Sequence, residues 1–489
     1  MAASEPSDSF APRPAREVAA WDAECDVAVV GLGVAGACAA IEAAAAGADV
    51  LVLERAAGGG GTSAASGGLV YLGGGTPVQR ALGFEDSAEE MFKYLMAACG
   101  PDPDAALVAP YCEESVGHFH WLAAQGVAFG ERFFPGAHEP PGDDGLTYSG
   151  SEDVHPFREL ARPAPRGHCA KVVGPKGALL MRALLASAAR AGVRATTGAR
   201  AARLVVEADG RVRGVEARVG REVLRVRARR GVVLASGGFI YDEKSVARHA
   251  PWLLRCRAKT GTENDDGSGI WMGVAAGGAA IRMDAGDITL PIFPPVVLKQ
   301  GIFVNAQAQR FLNEDVYFGR SGEIALLRQD GQVYLVVDEA CFARPELFPA
   351  ELAGTGETPA ELEAEMRLPE GALQRTLEYY NLHAARGEDP LFHKQRQHLR
   401  PLDRPPFAAF DLRPERFVYA AFTLGGLHID AGGGVLSQRG ERVPGLFAAG
   451  RTTSGLSKQG YSSGISLGDG SFFGRRAGRS AAAAGAEVR

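Results

Sequence analysis

The segment CDVAVVGLGVAGACAAIEAAAAGADVLVLERA, residues 25–56, constrains the fold more than any other part of the chain. Its pattern predicts a buried strand at Asp26–Val30, a glycine turn, an alanine-rich helix at Ala37–Ala46 and a second buried strand at Asp49–Leu53. The turn fits G-x-G-x-x-G, in which the glycines allow a tight turn and close approach of the backbone to a pyrophosphate. The segment therefore predicts a dinucleotide-binding α/β domain.

The residues of this motif each have a defined physical task. Gly31, Gly33 and Gly36 occupy the glycine positions, and the N-terminus of the following helix attracts phosphate groups. Glu54 ends the second strand, where an acid can accept hydrogen bonds from a ribose. The same apolar run has the length of a membrane span, but the glycines and Glu42 interrupt it, and we expect no membrane span. The motif alone leaves NAD and FAD open.

A glycine-rich stretch, GGGGTSAASGGLVYLGGG at residues 58–75, follows this acid directly. Its hydroxyl groups and exposed backbone N–H groups suit a loop wrapped along a diphosphate and a ring system, and a flexible linker is the alternative. Because the loop follows Glu54, we favour the cofactor interpretation. The residues that this interpretation places at the cofactor are Arg55, Thr62, Ser63, Ser66, Gly67 and Gly68.

Composition limits the partners of the chain. The 489 residues suffice for two domains, or for one domain with an insertion. The net charge is −6 with both signs mixed, so no basic stripe indicates nucleic acid. The seven cysteines are scattered without metal-ligand spacing, which predicts no metal site and indicates reduced thiols in a cytoplasmic protein. Residues 1–21 are polar and proline-rich, and we expect a flexible tail.

Further glycine turns recur along the chain in VVLASGG, DDGSGI and VPGLFAAG, together with GIFVNAQAQRFLNED at residues 301–315. The complete set, from about Cys25 to Gly478, resembles the FAD-dependent family of fumarate reductases and 3-ketosteroid dehydrogenases. The resemblance implies FAD rather than NAD, although Arg451 stands where many relatives carry an acid. The first histidine is His118, so none lies near the glycine-rich loop and we expect FAD to be noncovalent.

The resemblance also implies the domain organisation and further cofactor contacts. A Rossmann-like α/β FAD-binding domain is expected at residues 22–286 and 406–489, interrupted by a smaller α+β catalytic domain at residues 287–405. The remaining contacts that it implies for FAD are Ala201, Ser236, Gly237, Asp266, Gly450, Ser466 and Leu467.

The substrate is inferred from residues that differ from those of dicarboxylate reductases. Where that part of the family binds carboxylates, this chain has Phe318, Phe422 and Tyr461, which cannot pair with carboxylates as arginine does. Arg320 lies close by and keeps the exclusion incomplete. The resemblance thus implies a small apolar keto substrate, of which a steroid is the leading candidate. Its predicted contacts are Phe293, Phe318, Phe422 and Gly464.

The resemblance assigns catalysis to three hydroxyl groups. Tyr317 and Tyr461 match tyrosines of the 3-ketosteroid dehydrogenases, and Ser463 matches the serine of the Δ4-(5α)-type enzymes. Tyr461 would donate to the enolate oxygen. Ser463 would take the proton beside the ketone, and Tyr317, with an ordinary pKa of about 10, would relay it. Which of Ser463 and Tyr317 is the immediate base stays open at this point.

Other functions remain open from the sequence. The protein could be a 3-ketosteroid Δ1-dehydrogenase, another ene reductase of the family, or a non-catalytic flavoprotein that binds a hydrophobic ligand. Tyr461 and Ser463 could contact only flavin or backbone, and Tyr317 could be a core residue. The exact steroid, the electron acceptor and the oligomeric state are not determined by the sequence.

Overall fold

The computed structural model describes residues 10–136, 140, 142–172 and 174–484, so the first nine residues of the predicted tail lie outside the described residues. Among the helices described, none has both the length and the apolar character needed to cross a membrane. The α-helices are α1 Val34–Ala45, α2 Gly61–Ala65, α3 Pro77–Ala81, α4 Ala88–Ala98, α5 Ala105–Glu113, α6 Ser115–Ala124, α7 Phe157–Leu160, α8 Lys176–Arg190, α9 Glu243–His249, α10 Ser268–Ala275, α11 Phe318–Arg328, α12 Pro359–Glu365, α13 Ala372–Ala384 and α14 Ile465–Ala483.

The strands are β1 Arg13–Pro14, β2 Ala23–Val30, β3 Val50–Leu53, β4 Val70–Tyr71, β5 Phe133–Phe134, β6 Leu146–Thr147, β7 Gly167–His168, β8 Arg194–Thr196, β9 Ala199–Val206, β10 Val212–Val219, β11 Glu222–Leu234, β12 Ala258–Lys259, β13 Ala280–Ile281, β14 Gly286–Thr289, β15 Ile302–Asn305, β16 Val333–Asp338, β17 Leu352–Gly356, β18 Phe407–Asp411, β19 Ala420–Thr423, β20 Gly426–Leu427, β21 Gly434–Leu436 and β22 Arg442–Ala448.

The largest sheet contains nine strands within the described residues, and β2 lies between β11 and β3. Strands β3, β2, β11 and β22 are parallel, whereas β9 and β10 are antiparallel to each other and lead into β11. Residues 27–30 of β2 and all of β3 are buried, as expected of continuous apolar runs in a parallel sheet. The predicted α/β class with its glycine-turn unit is confirmed.

The C-terminal helix α14 packs on α1 of this first unit. The two backbones approach closely, because a Cβ on Gly474 would overlap the carbonyl oxygen of Ala35 and one on Gly478 would overlap that of Ala39. Since α14 begins at Ile465, this packing places the preceding turn beside the glycine motif of residues 31–36.

A smaller antiparallel sheet, in the order β15-β16-β18-β17, forms the core of the insertion. Strand β18 begins at Phe407, which lies beyond the domain boundary predicted at residue 405. It pairs with β16 of the smaller sheet and not with the large sheet. The boundary predicted at residue 287 falls inside β14, which pairs with β19. The division into two domains and both of its boundaries stay predictions.

The described part of the predicted tail contains the short strand β1. β1 pairs in parallel with β9, and Arg13 forms an ion pair of 2.8 Å with the buried Glu216. The part of the tail that the structure describes therefore lies on the edge of the large sheet.

A third sheet, β4-β7-β6-β5, brings distant short segments together beside the cofactor domain. Behind it Arg166 and Asp86, both fully buried, form an ion pair of 2.6 Å. This sheet supplies the loop at residues 148–152, which contacts the site described next.

Candidate active site

A cavity of about 460 Å³ extends from the first glycine turn to the turn that precedes α14. It joins residues predicted for the cofactor, the substrate and catalysis in one space. The predicted residues that line it are Gly31, Gly33, Glu54, Arg55, Thr62, Ser63, Ser66, Gly67, Gly68, Ala201, Ser236, Gly237, Tyr317, Phe318, Phe422, Gly450, Tyr461, Ser463, Gly464, Ser466 and Leu467.

The glycine motif has the steric role that its sequence predicts. Gly31 has a φ of +99°, and a Cβ there would overlap the carbonyl oxygen of Ala235. Gly36 lies behind the cavity wall, and a Cβ on it would overlap the carbonyl oxygen of Gly31. Gly36 therefore allows α1 to pack against the turn, while Gly31 and Gly33 line the cavity itself.

The carboxylate of Glu54 is fixed by two backbone donors. Its Oε2 accepts from the Leu32 N–H at 2.7 Å and its Oε1 from the Ala56 N–H at 2.8 Å. The side chain is buried and lines the cavity. Each carboxylate oxygen retains acceptor capacity, so the group is oriented for a further donor such as a ribose hydroxyl.

The glycine-rich stretch is not one continuous loop, because residues 61–65 form α2 and residues 70–71 form β4. Ser63 Oγ accepts from the Val34 N–H at 3.1 Å and so ties α2 to the start of α1. Thr62 donates to Asp265 at 2.9 Å. The stretch is thus an ordered wall of the cavity.

Of the neighbouring acids Asp265 and Asp266, Asp265 lines the cavity, and the predicted cofactor contact of Asp266 stays a prediction. Asp266 forms ion pairs with Arg55 at 2.7 Å and with Arg200 at 3.0 Å, and so holds Arg55 at the wall. Asp265 pairs with Arg451 at 2.7 Å. A shift of one residue decides which acid faces the cavity, and the repeated Asp-Asp of the sequence gives no signal for it.

The Tyr317 hydroxyl and Ser463 Oγ lie 3.0 Å apart at the other end of the cavity. The Ser463 N–H donates to the carbonyl oxygen of Ser149 at 2.8 Å, and the Tyr317 N–H donates to Ser151 Oγ at 3.0 Å. Burial, followed by the charge of Asp287, raises the pKa of Tyr317 well above its ordinary value. The tyrosine is therefore neutral near neutral pH.

Tyr461 is placed to donate into the cavity. Its hydroxyl oxygen accepts from the Ser466 N–H at 2.9 Å, which leaves the hydroxyl proton for a second partner. Its ring meets that of Phe422 edge to face at a centroid distance of 5.2 Å. Burial raises the pKa of Tyr461 to about 12, so the hydroxyl keeps its proton near neutrality.

Ser462 points away from the cavity and supports the turn from behind. Its Oγ lies 2.8 Å from the Tyr94 hydroxyl, which also accepts from the Ser151 N–H at 2.8 Å. The structure therefore separates two neighbouring serines: Ser463 lines the cavity, and Ser462 belongs to the supporting network.

The predicted apolar wall is present in part. Phe318 and Phe422 line the cavity, whereas Phe293 packs in the insertion against Phe303, with ring centroids 6.3 Å apart. The guanidinium of Arg320 lies 5.4 Å from the ring centroid of Phe157 and is not among the described residues that line the cavity. Arg320 therefore does not replace the missing carboxylate anchors.

Sequence reasoning missed several polar residues of the wall, among them Asp265, Asp287 and Thr289. Asp287 and Thr289 alternate with apolar residues on β14, in DITL. An acid inside an apolar strand is a signal that could have identified Asp287, because buried acids are uncommon without a partner.

The cavity fits a large polar cofactor. Its wall contains buried polar atoms, Ser236 Oγ and Arg451 Nη1, for which the described residues provide no hydrogen-bond partner. Together with the Gly31 turn and the oriented Glu54 carboxylate, they provide donors and acceptors for a dinucleotide.

Comparison with known proteins identifies the cofactor class. A protein-family model described as an FAD binding domain matches residues 26–467. The chain belongs to this FAD-binding family. The predicted FAD is thereby confirmed. Gly31, Gly33 and Glu54 line the cavity, and their contact with the dinucleotide part of FAD stays a prediction.

Relatives with assigned activities match over nearly the whole chain. A 3-oxo-5-alpha-steroid 4-dehydrogenase of Comamonas testosteroni is 33% identical, over 88% of this chain and 93% of its own. The crystal structure of a 3-ketosteroid Δ4-(5α)-dehydrogenase from Rhodococcus jostii RHA1, in complex with 4-androstene-3,17-dione, is 48% identical with a TM-score of 0.92. The match covers 97% of this chain and 100% of the Rhodococcus jostii chain.

A more distant structure shares the fold. The 3-ketosteroid Δ1-dehydrogenase of Sterolibacterium denitrificans is 21% identical and covers 94% of this chain and 99% of its own, with a TM-score of 0.70. The predicted resemblance to this group of flavoenzymes is confirmed.

Proposed function

We propose that the protein is an FAD-dependent 3-ketosteroid Δ4-(5α)-dehydrogenase, which introduces a C=C bond next to the ketone of a saturated 3-keto-5α-steroid. The observation that carries the proposal is the contact of Ser463 with Tyr317 at 3.0 Å in a cavity shared with Tyr461. The 48% identity to a Δ4-(5α)-dehydrogenase over 97% of the chain supports it.

Each hydroxyl has a separate task in this proposal. The proton beside a ketone becomes removable only when the enolate oxygen that develops is stabilised. Tyr461 donates its free hydroxyl proton to that oxygen, and the Gly464 N–H is a candidate second donor. Ser463 takes the proton from carbon and passes its own to Tyr317. When bound, FAD supplies the two-electron acceptor for the hydride that leaves the next carbon.

Apolar side chains position the substrate and exclude water. Phe318 and Phe422 line the catalytic end of the cavity, and contact between the rings of Phe422 and Tyr461 fixes the donor relative to the wall. A ketone is the one polar group that this wall must satisfy, which favours an apolar substrate with a single polar anchor.

The experiment is anaerobic addition of a saturated 3-keto-5α-steroid to the purified yellow protein. Bleaching of the flavin absorbance with formation of the 4-ene product is the expected result. Bleaching only with 4-ene-3-ketosteroids would instead indicate Δ1 chemistry, and binding without bleaching would indicate a non-catalytic flavoprotein. Either outcome would contradict the proposal.

Three further features belong to the proposal. FAD is held noncovalently, an electron acceptor that the sequence does not identify reoxidises it, and the protein works in the cytoplasm. The scattered cysteines motivate the last point, and all seven are buried.

A further inference from the structure

Asp287 is a buried carboxyl group in the wall of the active-site cavity. It is 4% exposed and lies on β14 directly opposite Phe422. Among the described residues, no donor reaches its Oδ2. A buried carboxylate oxygen without a partner is costly, so its presence at a reactive cavity calls for a function.

The carboxyl group lies close to the ring of Tyr317. A Cβ built on Gly319 would overlap Tyr317 Cε1 and would lie 2.7 Å from Asp287 Oδ1. Both side chains therefore border the space above Gly319, and no side chain at that position separates them. The phenol carbon involved is the neighbour of the carbon that bears the hydroxyl.

The relay from Ser463 needs an acceptor beyond Tyr317. A phenol that receives a proton from Ser463 must release its own, because a tyrosine oxygen carries one proton. Tyr317 begins neutral, since burial raises its pKa. The protein group that its hydroxyl contacts within the described residues is Ser463 itself, which cannot also be the final acceptor.

We propose that Asp287 accepts, through one water molecule of the cavity, the proton that Tyr317 releases. The inference rests on the proposed function. The C–H bond beside the ketone breaks, and its proton passes to Ser463 while the serine proton passes to Tyr317. The tyrosine proton passes to the Asp287 carboxylate, which returns it to solvent between turnovers. The C–H electron pair becomes part of the new C=C bond as hydride leaves the next carbon for FAD.

This role gives the reaction a defined pH dependence. Burial, followed by the charge of Glu323, raises the pKa of Asp287 to about 8. Only the carboxylate can accept a proton, so proton removal should accelerate as the pH rises through about 8. The titratable groups that face Asp287 are Tyr317, which directly precedes α11, Glu323 on α11, Tyr461 from the turn before α14, and Cys256.

The test measures exchange of the C4 proton, beside the ketone, of a saturated 3-keto-5α-steroid in deuterated buffer as a function of pH. The holoenzyme is used with its FAD reduced beforehand, so that hydride cannot leave the substrate. The variant Asp287→Asn keeps the size of the side chain but cannot accept the proton. We expect its exchange to fall by about 10²-fold and to lose the rise near pH 8. Ligand affinity, measured from the shift of the flavin spectrum, should stay near that of the wild type.

A second variant tests the same group without changing the cavity wall. Glu323→Gln removes the neighbouring charge, so the midpoint of the pH profile should move to lower pH at an unchanged maximal rate. Infrared spectra of the resting protein give an independent reading. The carbonyl band of a protonated carboxyl should disappear near pH 8 in the wild type and should be missing from Asp287→Asn.

The outcomes separate this inference from the proposed function. If the wild type neither exchanges the steroid proton nor oxidises a saturated 3-ketosteroid, the proposed function fails and the inference fails with it. If the wild type exchanges and Asp287→Asn keeps the same rate and pH profile, only the role of Asp287 is wrong. An unchanged midpoint in Glu323→Gln would also overturn that role.

Discussion

Loss of the contact between Tyr317 and Ser463 should affect protein stability and the rate of proton removal by different amounts. The sizes of these two effects distinguish a catalytic role from a structural one. As a neutral buried hydrogen bond of 3.0 Å, the contact should contribute about 0.5–1.5 kcal/mol to the free energy of unfolding. As a proton-transfer path, its loss should slow proton removal by about 10²–10⁴-fold. This factor corresponds to about 3–5 kcal/mol of activation free energy. The kinetic loss should therefore exceed the stability loss several-fold.

The perturbations are Ser463→Ala, Tyr317→Phe and their combination. Each is assayed by exchange of the C4 proton, beside the ketone, of a saturated 3-keto-5α-steroid in deuterated buffer, with the FAD reduced beforehand so that hydride cannot leave. Both single variants should lose exchange while the flavin spectrum and the ligand-induced spectral shift persist. The double variant should be little slower than the slower single variant, because members of one catalytic unit are not additive.

The neighbouring serine provides a matched control. Ser462→Ala removes a hydroxyl from the same turn, but that hydroxyl contacts Tyr94 behind the cavity wall. Its exchange rate should stay near that of the wild type, while its stability falls by an amount comparable to that of Ser463→Ala. Wild-type exchange in Ser463→Ala, or losses in the double variant that multiply as independent effects, would refute the relay.

Three further results are expected. Tyr461→Phe removes the enolate donor but keeps the ring that packs on Phe422, so turnover should fall by about 10²–10³-fold, and an unchanged turnover number would contradict the donor role. Acid precipitation should release FAD into the supernatant, and colour that stays with the pellet would show a covalent link. Fumarate should not be reduced by reduced viologen at a rate comparable to steroid turnover, because the positions at Phe318 and Phe422 are apolar and burying an unpaired carboxylate costs several kcal/mol. Measurable reduction would contradict this expectation.

The part of the fold that the sequence predicts well is governed by local rules. Strand β2, the glycine turn and α1 follow from apolar periodicity and from the space that Gly31 and Gly36 must leave. The alternation of apolar and polar residues on both sides of the turn at Gly210 likewise predicts strands β9 and β10, which pair in the structure. These features depend on residues that are close in the chain, so a sequence pattern contains the necessary information.

Long-range pairing explains where the sequence predictions depart from the structure. Val70 and Tyr71 pair with Gly167 and His168, and two-residue strands have no periodicity that could indicate this contact. The strand at Phe407–Asp411 looks like the return to the large sheet, but its pairing with β16 keeps it in the smaller one. The choice between Asp265 and Asp266 depends on the direction of one side chain within a turn, which composition does not specify.

The loop at residues 148–152 shows most clearly why the catalytic site required the structure. Its sequence, YSGSE, contains no recognisable motif, yet the Ser149 carbonyl oxygen accepts from the Ser463 N–H and Ser151 Oγ accepts from the Tyr317 N–H. One short segment thus fixes the backbones of both relay residues, which lie 146 positions apart in the chain. The Ser151 N–H also donates to Tyr94, which contacts Ser462 in the same turn. The 3.0 Å contact between the two hydroxyls is therefore set by a third element that contributes no catalytic side chain, and its dependence on backbone groups explains why residue identity alone could not predict it.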